Sequence, residues 1–135
     1  MVKRYNVLSV PGEPHMEQHV MLVDDEHEFV NTLSERLRER NVDAAVAIDG
    51  ESALHMIQEH EPEVMILDLN MPGITGLDVL QRIRTSNPNI KVIILTGHGE
   101  EKTREACLAM GAVAYLQKPI DIDQLTSIIN EASDR

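Results

Sequence analysis

The chain has 135 residues, 42% hydrophobic and 26% charged, the balance of one soluble globular domain able to bury roughly two-thirds of its unfolded surface. Lys and Arg number 12 against 23 Asp and Glu, a net charge of −11 with a sequence pI ≈ 4.8; such a surface repels phosphate backbones and anionic lipid, and two tyrosines with one phenylalanine make no base-stacking platform, so direct nucleic-acid contact is excluded. The single cysteine, Cys107, excludes a disulfide framework, and no apolar run reaches the ~20 residues of a membrane span, which points to a reducing, cytoplasmic compartment without a membrane segment.

Residues 1–18 carry Pro11, Gly12 and Pro14 and no helical or strand period. They read as a flexible leader or a tag-derived extension, with a partner-binding arm as the alternative, ahead of a domain over residues 19–134. From residue 19 onward, short apolar runs at 19–23, 42–48, 64–67, 91–95 and 113–116 alternate with helical spacing. The third and fourth runs are apolar at nearly every position, as expected of central strands of a parallel sheet buried on both faces. The helical stretches show Phe29, Leu33 and Leu37; Leu54 and Ile57; Leu80 and Ile83; and Leu125, Ile128, Ile129 and Ala132 on one face each. Asp49 and Asp121 are placed to cap helices, and Asn87-Pro88 and Gly111 to end them. The fourth helix carries a stripe of small or soft residues, Thr103, Ala106, Cys107 and Met110, which predicts weak packing.

Five strands alternating with five helices predict a (βα)5 fold, a doubly wound α/β sandwich around a five-stranded parallel sheet. That class binds ligands at the carboxyl ends of its strands. Asp24, Asp25 and Glu26 follow the first strand, Asp68 the third, Thr96 the fourth and Lys118-Pro119 the fifth. Acids after one strand alone would be an ordinary helix N-terminus; polar groups abutting four apolar runs together mark a site. Two like charges 4 Å apart cost on the order of 4 kcal/mol at an effective dielectric near 20. Clustered carboxylates therefore call for a proton or a cation, and an all-oxygen, open cluster suits Mg²⁺. With Lys118 as a point charge and Thr96 as a hydroxyl donor for phosphoryl oxygens, the set reads as a phosphoryl-transfer site with Asp68 as candidate nucleophile.

The segments VMLVDDE at 20–26, MILDLNMPGITG at 65–76, VIILTGHG at 92–99 and GAVAYLQKP at 111–119 together resemble, in order and spacing, the receiver domain of bacterial two-component response regulators. The resemblance implies a flavodoxin-like strand order 2-1-3-4-5. It implies a phosphorelay role in which Asp68 accepts a phosphoryl group from the phosphohistidine of a sensor histidine kinase or a histidine phosphotransfer protein. Mg²⁺ would be held by Asp25, by Asp68, by the backbone carbonyl of Asn70 and, directly or through water, by Asp24. Thr96, Gly97 and Lys118 would contact the phosphoryl group, Thr96 and Tyr115 would form the switch, and Asn70 and His98 would tune its lifetime. Pro119 would follow a cis peptide. An output domain or effector protein and a homodimer on phosphorylation are further partners the resemblance admits. The domain would catalyse its own phosphorylation and slow dephosphorylation without being an enzyme for other substrates. Two alternatives differ in class. One is an aspartyl-nucleophile phosphatase, weakened by Asn70 standing where such enzymes carry a second acid; the other is a receiver-like binding module indifferent to phosphate.

Overall fold

The computed structural model describes residues 18–97 and 99–133. Its elements are β1 (Gln18–Val23), α1 (His27–Arg38), β2 (Val42–Ala47), α2 (Gly50–Glu59), β3 (Val64–Leu67), α3 (Gly76–Ser86), β4 (Lys91–Thr96), α4 (Glu101–Ala109), β5 (Ala114–Gln117) and α5 (Ile122–Ser133). The leader expected over residues 1–18 lies outside the described residues except for Gln18, which opens β1, so strand pairing begins one residue earlier than hydrophobicity alone indicates.

All strands are parallel, in the order β2-β1-β3-β4-β5. This is the flavodoxin-like 2-1-3-4-5 order, in which the chain moves outward from β1 first one way and then the other. That single reversal brings the carboxyl ends of β1 and β3 side by side, with Val23 opposite Leu67 in register. β3 and the 92–95 segment of β4 are buried throughout, because helices cover both faces of the central strands. One core layer gathers Met21, Val23, Met65, Leu67, Val92 and Ile94 under α2, α3 and α4. The other gathers Val20, Leu22, Ile66, Ile93 and Leu95 under α1 and α5. The strict alternation of these residues along each strand is the period of two that sends neighbours to opposite faces.

Local chemistry fixes the ends of the helices. Asp49 accepts a hydrogen bond from Ser52 N at 2.7 Å, and Asp121 one from Gln124 N at 3.0 Å, satisfying amides that a first helical turn leaves unpaired. Thr75 and Asp78 form a reciprocal capping box at the start of α3. Asn41, at φ 63, turns the chain out of α1, a left-handed position that asparagine tolerates. Gly111, at φ 101, turns it out of α4, and a Cβ there would lie 2.8 Å from Arg84 Cδ. The Arg84 guanidinium is itself fastened to the Ile90 carbonyl at 2.5 Å, so it does not yield freely. Gly111→Ala is therefore expected to cost about 1–2 kcal/mol of stability, read as a lower urea midpoint at unchanged slope.

Candidate functional site

Asp24 and Asp25 leave the end of β1, and Asp68 leaves the end of β3. Because those strands are hydrogen-bonded neighbours, the three carboxylates meet, each offering an oxygen within 4.8 Å of the others. Asp24 and Asp68 are buried, at 5% exposure each, while Asp25 is half-buried toward solvent. Burial of Asp68, and after it the charge of Asp24, pushes its pKa up to about 6, against the opposing pull of Lys118 and a hydrogen bond from the Asn70 backbone. A carboxyl raised first by burial and then by a neighbouring carboxylate is one whose charged form lacks both solvation and sufficient counter-charge.

Each oxygen of Asp24 has a separate task. Oδ1 accepts from Glu26 N at 2.9 Å, closing the turn into α1. Oδ2 accepts from Lys118 Nζ at 2.8 Å. Lys118 arrives from the end of β5, on the far side of β4, after which comes the cis Lys118-Pro119 peptide. Its ammonium also donates to Glu26 Oε1 at 2.6 Å and sits 4.3 Å from the centre of the Phe29 ring. Burial pushes the Lys118 ammonium down, but the hydrogen bonds to Asp24 and Glu26 outweigh it and hold the group above its ordinary range; the amine stays charged.

Thr96 ends β4, fully buried, and its carbonyl accepts from Lys118 N at 2.8 Å. By strand alternation it shares a face with Ile94, whose partner across the ladder is Tyr115. Tyr115 is half-buried against the layer under α4, and burial, followed by Cys107 nearby, pushes its phenol up. A side chain at position 99 would come 3.4 Å from the Tyr115 ring. Gly97 is exposed, and a Cβ built on it would meet nothing within 4 Å, so the approach past β4 is open. Asn70 is exposed beside Asp68. His98 lies outside the described residues.

Two participants are not evident from sequence patterning. Helical spacing places Phe29 on the buried stripe of α1, yet the fully buried positions are Val30, Leu33 and Leu37, and the half-buried Phe29 forms the seat of Lys118. Glu26 stands among the acids after β1 with no task that its position alone assigns, and it is the second carboxylate on Lys118. The signal for it is its place at the N-cap of α1 without a residue type suited to capping; its side chain makes no cap hydrogen bond and reaches across the site instead.

The donor set fits a small hard dication, since it offers oxygens alone, packs them within reach of one ion, and leaves one carboxyl with a raised pKa that a cation would relieve. Among the described residues no helix is long and apolar enough to cross a membrane.

Comparison with known proteins agrees with this geometry. Residues 20–130 match the family model of the response regulator receiver domain. The chain is 28% identical over 116 residues to the sporulation initiation phosphotransferase F of Bacillus subtilis, covering 86% of this chain and 94% of that protein. It is 35% identical over 106 residues to the probable transcriptional regulatory protein TcrX of Mycobacterium tuberculosis, covering 78% of this chain but only 45% of that protein. Among solved structures, the Francisella response regulator 1452 receiver domain superposes with a TM-score of 0.83 at 30% identity, covering 88% of this chain and 98% of that one. With five parallel strands in the same order and its acidic residues at the ends of β1 and β3, the chain belongs to the response regulator receiver domain family of two-component systems.

Proposed function

We propose that this domain receives a phosphoryl group on Asp68 from a phosphohistidine, carried by a sensor histidine kinase or a histidine phosphotransfer protein, and relays the change through Thr96 and Tyr115. The observation that carries this reading is the buried Asp68 carboxylate at the sheet edge, with Asp24 and Asp25 within 4.8 Å. A carboxylate oxygen of Asp68 attacks phosphorus as the phosphorus–nitrogen bond of the donor breaks; the imidazole departs with the electron pair and Asp68 is left as an acyl phosphate. Asp24, Asp25, Asp68 and the Asn70 carbonyl would hold Mg²⁺, which when bound neutralises charge on the phosphoryl oxygens. Lys118 and Thr96 contact those oxygens, and Gly97 leaves room for the donor. Once phosphorylated, Thr96 shifts toward the new group and Tyr115 moves into the space behind it. A domain of residues 19–134 acting in the cytoplasm, alone or joined to an output domain, fits relatives whose names include both a phosphotransferase and a transcriptional regulator.

The test is incubation with acetyl phosphate and Mg²⁺ followed by intact-mass measurement. Wild type is expected to gain one phosphoryl group, labile to hydroxylamine, and Asp68→Asn to gain none; equal incorporation by the two proteins would remove Asp68 from its role.

A further inference from the structure

Lys118 is held by contacts on the β1–α1 side of the site. Its Nζ donates to Asp24 Oδ2 at 2.8 Å and to Glu26 Oε1 at 2.6 Å, and the Phe29 ring lies beneath it at 4.3 Å. An ammonium has three protons to donate, and here two are committed to carboxylates while the ring shields part of the rest. To engage phosphoryl oxygens on Asp68 fully, Lys118 has to give up one of these partners. The two carboxylates differ sharply in what release would cost. The Asp24 side chain is 7% exposed and its other oxygen closes the α1 turn, whereas the Glu26 side chain is 63% exposed and makes no cap hydrogen bond. Water can replace Lys118 around Glu26 but not around Asp24.

We propose that Glu26 is a positioning residue that parks Lys118 over Phe29 in the unphosphorylated domain and competes with the incoming phosphoryl group for the same ammonium. The proposal rests on Asp68 being the phosphoacceptor. Glu26 is the partner that lets go: on phosphorylation its carboxylate turns to solvent while Asp24 keeps its place. Position 26 thereby sets how readily the domain accepts a phosphoryl group, without touching phosphorus or the acceptor. Glu26→Gln keeps the shape and withdraws the charge that holds the amine.

Two measurements decide it. In metal-free wild type, Lys118 is expected to react slowly with an amine-acylating reagent, and in Glu26→Gln about two- to fivefold faster, the range set by the strength of an ion pair with one exposed partner. With Mg²⁺ and subsaturating acetyl phosphate, Glu26→Gln is expected to phosphorylate faster by a similar factor. Glu28→Gln, which removes the same charge from the first turn of α1 two residues on, is expected to match wild type in both assays. Unchanged acylation of Lys118, no gain in phosphorylation rate, or an equal gain in Glu28→Gln each overturns the proposal. Asp68→Asn, run alongside, separates the two levels: if it incorporates phosphoryl like wild type, the acceptor assignment has failed, while the acylation result still reports whether Glu26 holds the amine.

Discussion

Without divalent cations, Asp68→Asn is expected to be more stable than wild type by about 1–3 kcal/mol at pH 8, and the advantage should vanish near pH 4. Burial and the neighbouring Asp24 push the Asp68 carboxyl up to about 6 in the folded protein from an ordinary value of 3.8. The folded state therefore holds this proton more tightly than the unfolded chain does. Between the two values unfolding releases a proton, so stability falls as pH climbs from about 4 to about 6 and stays reduced above. A tenfold difference in proton affinity between the two states is worth about 1.4 kcal/mol, and relaxation around the site trims the total. Asparagine carries no charge at any pH and escapes the penalty. Urea denaturation in a chelator, from pH 4 to pH 8, reads the difference; curves for the two proteins that stay parallel across that range would show that Asp68 bears no such strain. Adding Mg²⁺ at pH 8 should narrow or reverse the gap, because the ion stabilises only the protein with the full carboxylate set, by an amount that grows with its concentration over the dissociation constant.

Gly76→Ala is the substitution expected to damage the fold most, by about 3 kcal/mol. Gly76 opens α3 and donates its N–H to the Leu69 carbonyl at 3.1 Å. A Cβ there would collide with the Asp68 carbonyl oxygen and lie 2.7 Å from Leu69 Cα. Both obstacles are backbone at the end of β3, which has no rotamer to change. Either α3 withdraws, opening the core around Val79, Leu80 and Ile83, or the segment carrying Asp68 moves. A lower urea midpoint together with weakened Mg²⁺ binding is the expected outcome. Gly97→Ala, whose Cβ would meet nothing within 4 Å, provides the contrast and should stay within about 0.5 kcal/mol of wild type. A Gly76→Ala protein as stable as Gly97→Ala would mean that the approach of α3 to β3 is not close.

The architecture is legible in the sequence because its signals are local. The runs at 64–67 and 92–95 are buried on both faces as their composition implies, and the caps at Asp49 and Asp121 form where their residue types favour them. Strand limits are less legible. Ile48 and Val113 continue apolar runs, yet both fall just outside the strands and are exposed at 41% and 42%. Past Ala47 the ladder stops because β1 ends opposite it at Val23, while Val113 still donates its N–H to the Val92 carbonyl at 2.8 Å but turns its side chain to solvent. The stripe on α4 is covered only in part: Ala106 is exposed and Cys107 alone is fully covered, with Thr103 and Met110 half-covered. Within the site, the acids and Lys118 are marked by their positions after strands. The Glu26–Lys118 pair spans 92 positions, and no local pattern encodes a contact made only when β1 and β5 are brought to one rim.

α4 has a mechanical consequence. α3 buries Gly76, Val79, Leu80 and Ile83 and α5 buries Leu125, Ile129 and Ala132, while α4 has Cys107 as its one fully covered anchor. A plate clamped stiffly on every side but one deflects at that side. If Thr96 and Tyr115 switch as proposed, the displacement would be taken up by α4, the helix with the fewest buried anchors, so that the outer contour would change at one flank with the carboxylate edge kept in place.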